Sequence, residues 1–323
     1  MTEGSEQIVP APDGQSPPLA VAAAPGLWQI PLPQPLPGFD EFISAWLITS
    51  PATVLVDVGP AASVPRLFEA LSALGVDRID AVLLTHIHLD HAGGAGDFAV
   101  RFPHAPVVCH HSALSHLADP SRLWAGSLKA LGDTARAYGP MRPVPEPQLV
   151  DADTINLPDL AAIATPGHAV HHVSYRVGPF LMAGEASGVY QRVDDGTVYL
   201  RPATPPRFFL ETSLASIDLL LPHAHALTCF GHHGWCPDGQ PVLRTHRAQL
   251  LRWADIISAR MSQRSDPTFE DGCIEALLAQ DPLLTSFQRL SPAVRQREGF
   301  FLRNSIRGFV QYLAAREEGT APA

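Results

Sequence analysis

The sequence predicts an α/β protein, with strands buried in a layered sheet and an all-helical C-terminal stretch. Three observations predict it. Short apolar runs alternate with helical periodicity through roughly the first 240 residues, in the order β-β-α-β-α-β. Beyond that point the periodicity is helical only. The composition, 46% hydrophobic and 17% charged over 323 residues, belongs to a globular chain able to bury a large core.

The elements follow in order. Residues 1–24 are rich in Pro, Ala and Gly and are expected to form a disordered tail. PPLAVAAAPG (17–26) has a short apolar run, but Glu3, Glu6 and Asp13 precede it where a secretory signal needs Lys or Arg. EFISAWLIT (41–49) and ATVLVDVG (52–59) are expected to be strands joined by a turn at Ser50-Pro51. SVPRLFEALSALGV (63–76) is expected to be a helix. Pro65 stands near its start, Leu67, Phe68, Leu71 and Leu74 recur at helical spacing, and Gly75 stops it. DAVLLT (80–85) is a third strand, GDFAVRFP (96–103) a short helix and APVVCHH (105–111) a further strand. Two helices fill 112–139, and a Pro-rich connector follows over 139–148. Strands resume over 160–168, 170–178 and 179–185, the last two as a hairpin about Gly178-Pro179. Residues 207–221 read as helix, and 225–234 as a last strand entering a polar loop.

Helices are then expected over 244–261, 269–280 and 292–318. The last carries Phe300, Phe301, Ile306, Phe309, Val310 and Leu313, an apolar face that must be buried on the body of the protein or in a homodimer. The expected organisation is a tail over 1–24, an α/β domain over 25–238 and a helical extension over 239–323.

Composition also excludes functions. The net charge is −10 and no run of Lys or Arg occurs, which argues against a nucleic-acid partner. Cys109, Cys229, Cys236 and Cys273 are widely spaced with no CxxC pair, which fits a reducing compartment. No stretch approaches the ~20 apolar residues of a membrane span. A cytoplasmic protein with a small-molecule substrate and no membrane partner is the expectation.

The chemistry concentrates in AVLLTHIHLDHAGG (81–94), where His86, His88, Asp90 and His91 fall directly after an apolar strand. A merely solvated loop needs only Ser, Asn or Lys. Imidazole and carboxylate are the donors that divalent metals such as zinc bind. His86 and His88, two apart beyond a strand, point to the same side and can share one metal. Asp90 and His91, one turn on, can face a second.

The stretch THIHLDHAGG (85–94) closely resembles the metal-binding motif of the metallo-β-lactamase-fold hydrolases, and other motifs follow in the family's order. LVDVG (55–59) matches the strand that ends in an aspartate, and TPGH (165–168) matches the third metal histidine. MAGE (182–185) stands where the family has Gly-Asp with a bridging carboxylate, and GHHG (231–234) where the last histidine is expected. RPATPPRF (201–208) resembles a subgroup with a helical C-terminal addition. The resemblance covers about residues 27–238.

It implies a four-layer αβ/βα sandwich with two divalent ions at one edge, zinc first and iron or manganese as alternatives. His86, His88 and His168 would hold one ion; Asp90, His91 and His232 would hold the other. Glu185, one methylene longer than the family's aspartate, would bridge or nearly bridge them and leave the second ion more weakly held. The implied activity is hydrolysis of a small ester, thioester, lactone or amide by a metal-bound hydroxide, with Asp90 orienting the water and taking its proton. The alternative is an iron-dependent redox member of the same fold, acting on a thiol or persulfide. Tyr190, Tyr199 and Arg201 are expected on a loop over the site, lining the substrate pocket. Among the other histidines, His171 and His172 are expected to be structural or to support a ligand, His110 and His111 to be satisfied at the surface with a pocket-lining role as the alternative for one of them, His223 and His225 to be solvated, and His233 to be turned away from the metal that His232 binds.

Overall fold

The computed structural model describes residues 7–14, 16–193, 195–224 and 227–319. The chain divides into two compact units, one of Met1–Ala164 with Val173–Met182, the other of Thr165–His172 with Ala183–Ala323.

The first unit is built on an eight-stranded sheet in chain order. Strands β1 (Ile8–Val9), β2 (Ala20–Ala24), β3 (Leu27–Pro31), β4 (Ser44–Ile48) and β5 (Val54–Val56) run antiparallel. The described part of the expected tail is therefore not a tail: β2 pairs with β3 on one side and β1 on the other. Leu19 and Ala20 are buried, and Gly26 at φ +76° closes the β2–β3 turn in a backbone that glycine enters without strain. Small alanine side chains carry little strand signal, which hid this strand. Residues 1–6 lie outside the described residues.

After β5 the sheet becomes parallel. Helix α1 (Val64–Ala73) starts with Pro65 in its first turn and buries Leu67 and Leu71. It leads to β6 (Ala81–Leu83), parallel to β5. Helices α2 (Leu89–Ala92) and α3 (Ala95–Arg101) precede β7 (Val107–Cys109), and α4 (Leu114–Ala118), α5 (Ser121–Leu131) and α6 (Asp133–Tyr138) precede β8 (Leu149–Asp151). Both strands continue the parallel pairing. Parallel neighbours share a direction, so Asp57 after β5, His86 after β6 and His110 after β7 leave the sheet at the same edge. Strands β9 (Leu160–Ala164) and β10 (Val173–Val177) pair antiparallel, and β10 turns at Gly178 (φ +55°) into β11 (Phe180–Gly184), the expected hairpin. The Tyr175 hydroxyl on β10 donates to the Leu84 carbonyl (3.0 Å), and Val173 N–H to that of Thr85 (2.7 Å). Both bonds brace the backbone just before His86.

The second unit contains the hairpin β12 (Val189–Arg192)–β13 (Val198–Arg201), helix α7 (Leu210–Leu220) and the pair β14 (Thr228–Phe230)–β15 (Trp235–Cys236). Helices α8 (Gly239–Ser258), α9 (Phe269–Gln280) and α10 (Pro292–Glu317) follow, and α8 packs on α7, α9 and α10. By contact the helices beyond residue 238 group with α7 and the hairpin in the second unit. Leu302, Ile306 and Phe309 of α10 are fully buried, with Phe208 and Trp253 ring centroids 4.7 and 5.9 Å from Phe309. The apolar face of α10 is thus covered by this chain itself; Phe300, on its rim, is 44% exposed. All four cysteines are buried and free. Among the described residues no helix is long and apolar enough to cross a membrane.

Candidate metal centre

In the first unit the histidine cluster occupies the loop from β6 into α2. His86 is fully buried, and its Nε2 lies 3.0 Å from Nδ1 of His88. Two nitrogens bound to one tetrahedral zinc at the usual bond length stand about 3.3 Å apart. The pair is therefore spaced as neighbouring ligands are.

Asp57 holds this loop. It sits just past β5 at φ +57°, buried, and accepts from Thr85 N–H (2.8 Å) and the Thr85 hydroxyl (2.9 Å). The hydroxyl oxygen lies 3.1 Å from His86 Nδ1. Because the hydroxyl hydrogen goes to the carboxylate, His86 Nδ1–H donates and Nε2 keeps its lone pair. Asp57 also accepts from His91 Nδ1 (2.8 Å), which leaves His91 Nε2 as the coordinating atom, 3.8 Å from Asp90. A carboxylate behind an imidazole fixes ring and tautomer and makes the ligand more basic. The sequence placed Asp57 in a motif without a role; its role is to orient His91 and Thr85.

The second unit carries the other ligands. His168 Nδ1 donates to the Ala203 carbonyl (2.9 Å), and its Nε2 lies 2.8 Å from Glu185 Oε2. His232 Nε2 lies 3.2 Å from the other oxygen, Oε1. Burial pushes the Glu185 carboxyl up, but His168 and His232 outweigh it and hold the group well below the usual carboxylate range.

The backbone beneath Glu185 is equally specified. Its N–H donates to His172 Nε2 (3.1 Å), while His172 Nδ1 donates to the Thr165 hydroxyl (2.8 Å). Glu185–Ser187 form one 3-10 turn between Gly184 (φ +56°) and Gly188 (φ +78°). A Cβ at Gly188 would stand 2.7 Å from the Arg201 carbonyl oxygen, so only glycine fits. Gly231 N–H donates to Gly184 O (3.2 Å), tying the GHHG loop to the same turn. This compact turn is what accommodates a carboxylate one methylene longer than the family's aspartate.

Other expectations need correction. Tyr190, Tyr199 and Arg201 lie on the β12–β13 hairpin rather than on an open loop, and all three are buried. Tyr190 stacks on Phe230 (4.6 Å, 8°), and the Arg201 guanidinium is taken by Glu298. His110 accepts from Ser112 N–H through Nδ1, and His111 lies with Asp151 and Asp153 on the exposed rim. His223 closes the turn after α7, and His225 lies outside the described residues. Arg297 and Glu298, buried on α10, are functional neighbours that sequence reading missed. Their partners are 64 and 97 residues away, beyond any local signal.

In each unit the donor set, imidazoles beside carboxylates, is of the kind that suits a divalent metal. The family model of the Metallo-beta-lactamase superfamily matches residues 38–232, and the chain belongs to that superfamily. Its α/β fold with a helical C-terminal region is the fold of that superfamily. The metallo-beta-lactamase fold-containing protein ST1585 of Sulfurisphaera tokodaii is 27% identical over 213 residues, 63% of this chain and 76% of that protein. Its crystal structure, from the organism described as Sulfolobus tokodaii, superposes with a TM-score of 0.59 at 25% identity, over 70% of this chain and 86% of the other. The hydroxyacylglutathione hydrolase of Yersinia pestis is 30% identical over 156 residues, 46% of this chain and 49% of the relative. The chain thus spans about half the length of that hydrolase. A metallo-beta-lactamase family protein of Thermus thermophilus, TTHA1429, has a TM-score of 0.59 at 23% identity over 92% of this chain and 95% of its own, a likeness of fold.

Proposed function

We propose that this protein is a metal-dependent hydrolase of a small ester, thioester, lactone or amide, working with two divalent ions. His86, His88 and His168 would hold one ion and Asp90, His91 and His232 the other, with Glu185 as a further carboxylate donor. The observation that carries this reading is the Glu185 carboxylate, buried with one oxygen against His168 and the other against His232. When bound, the ions supply Lewis acidity and bring the pKa of water toward neutrality. Asp90 orients the attacking water and accepts its proton. Asp57 keeps His91 in its coordinating tautomer, and His172 holds the backbone that aims Glu185.

No cysteine competes for the role of nucleophile. Burial pushes the thiols up, Cys109 to about 12 and Cys236 and Cys273 to about 11, far from the thiolate that attack requires. Zinc is the first choice of metal, with iron and manganese as alternatives that the same ligands accept. Four free thiols support a reducing compartment such as the cytoplasm. An acyl thioester heads the substrate list, since the relatives that match include hydroxyacylglutathione hydrolases.

The test is elemental analysis of the protein purified from its native host, paired with a panel of esters, thioesters, lactones and amides. Zinc or manganese with turnover supports the proposal. Iron without hydrolysis overturns it in favour of thiol or persulfide oxidation.

A further inference from the structure

Behind His232 lies a buried charged network that the hydrolytic reading does not use. His233 sits in the left-handed region at φ +59°, where a non-glycine residue persists only if its surroundings hold it. Its Nε2 accepts from Arg297 Nη2 (3.2 Å), so the imidazole proton resides on Nδ1. Arg297 in turn donates through Nε to Glu298 Oε1 (3.0 Å), and the other oxygen of Glu298 takes Arg201. Arg201 also donates to Pro202 O (3.2 Å) and lies over the Phe301 ring, 5.0 Å from its centroid. Glu298 is fully buried, and Arg201, Arg297 and His233 are nearly so.

Two arginines share one carboxylate in this network. That is a costly arrangement, retained only where the surroundings fix its geometry. Among its contacts is His233, the covalent neighbour of His232, a proposed ligand.

Resting on the two-metal reading above, we propose that Arg297, anchored by Glu298, is a positioning residue for His232, acting through His233. The bond to His233 fixes the strained backbone at 233. That fixes the direction in which residue 232 leaves the chain, with Gly231 pinned to Gly184 on the other side. Helix α10 is thereby part of the metal centre's support, though none of its residues is a ligand.

The experiment is zinc titration by calorimetry on the full chain, with cobalt(II) absorption as a spectroscopic readout of each site, for wild type, Arg297→Met, His233→Asn and the double variant. Arg297→Met leaves Arg201 and Glu298 as a neutral pair, and asparagine tolerates positive φ. Each single variant is expected to weaken the Asp90/His91/His232 site about tenfold, the lower end of the cost of losing a ligand's support, with the His86/His88/His168 site unchanged. The double variant is expected to lose no more than the worse single one, since both cut the same link. If Arg297→Met does not fold, site-selective loss in His233→Asn alone carries the proposal. Unchanged affinities overturn it, as does equal weakening of both sites, which marks a merely structural role. A wild-type chain that binds fewer than two ions overturns the two-metal reading first, and this inference with it.

Discussion

The two units support their proposed ligands in different ways. In the first, four ligands lie within six residues, and a single carboxylate, Asp57, serves both the backbone of the loop and the ring of His91. In the second, the three ligands lie on separate segments spanning residues 168 to 232, each with its own support: the Ala203 carbonyl for His168, His172 for Glu185, and Arg297 by way of His233. A short sequence can specify the first arrangement because strand direction and one turn already converge the side chains. The second depends on long-range packing, so its precision rests on distant residues of the C-terminal helices.

The largest effect is expected from the first set. His86→Ala or His88→Ala should remove one ion and reduce turnover by at least about a thousandfold, because the nucleophile loses its source. The fold should remain, most securely in His88→Ala, because His88 is only part-buried whereas His86 is fully buried. Metal content beside circular dichroism measures both. Undiminished metal in both variants would sink the assignment.

The second unit should show its dependence in stability. Glu298→Ala leaves two arginines buried without their carboxylate and should cost about 3–5 kcal/mol, read from the urea midpoint. Burial raises the Glu298 carboxyl, but Arg201 and Arg297 outweigh it and bring it to about 2, against an ordinary 4.5. A depressed folded-state value stabilises fully above the unfolded one, and that stability is lost as pH falls. The stability of the full chain should therefore decline from about pH 4.5 toward 2. The isosteric Glu298→Gln should flatten this decline; an unaltered acid limb would show that other carboxylates govern it.

A smaller effect is expected at Asp57. Asp57→Asn replaces one acceptor oxygen with an amide and should weaken the ion at Asp90, His91 and His232 by about 10–100-fold. Equal affinity in calorimetric titration would deny the orienting role. Glu185→Asp should have the smallest consequence, about tenfold weaker binding of one ion. It draws the carboxylate back by roughly one bond length, about 1.5 Å, from a turn shaped for the longer side chain. Tighter binding would show that the Gly184–Gly188 turn yields easily.

These contrasts also mark what the sequence made legible. The strand–histidine loop was readable because its residues are contiguous and its period is that of a strand end. The parallel strands were readable from their unbroken apolar runs, which double burial requires. His168, Glu185 and His232 were reachable only as motif matches, since nothing local makes a single histidine a ligand. Strand β2 was obscured by its alanines. The β12–β13 hairpin was read as loop because Tyr190, Tyr199 and Arg201 carry polar atoms, although their bodies pack in a core. The Arg297–Glu298 pair carries no local signal of burial. Only tertiary contact with Arg201 and His233 turns that charged dipeptide into an interior network.

The central claim is the proposal of two ions, with His86 a ligand of one and His232 a ligand of the other. The most direct test is the number of zinc ions bound per chain in the wild type, in His86→Ala and in His232→Ala, measured by elemental analysis after equilibrium dialysis. The account predicts two ions in the wild type and one in each variant, with the surviving ion differing between them. A wild-type chain that retains no metal, or the same count in all three proteins, would contradict it.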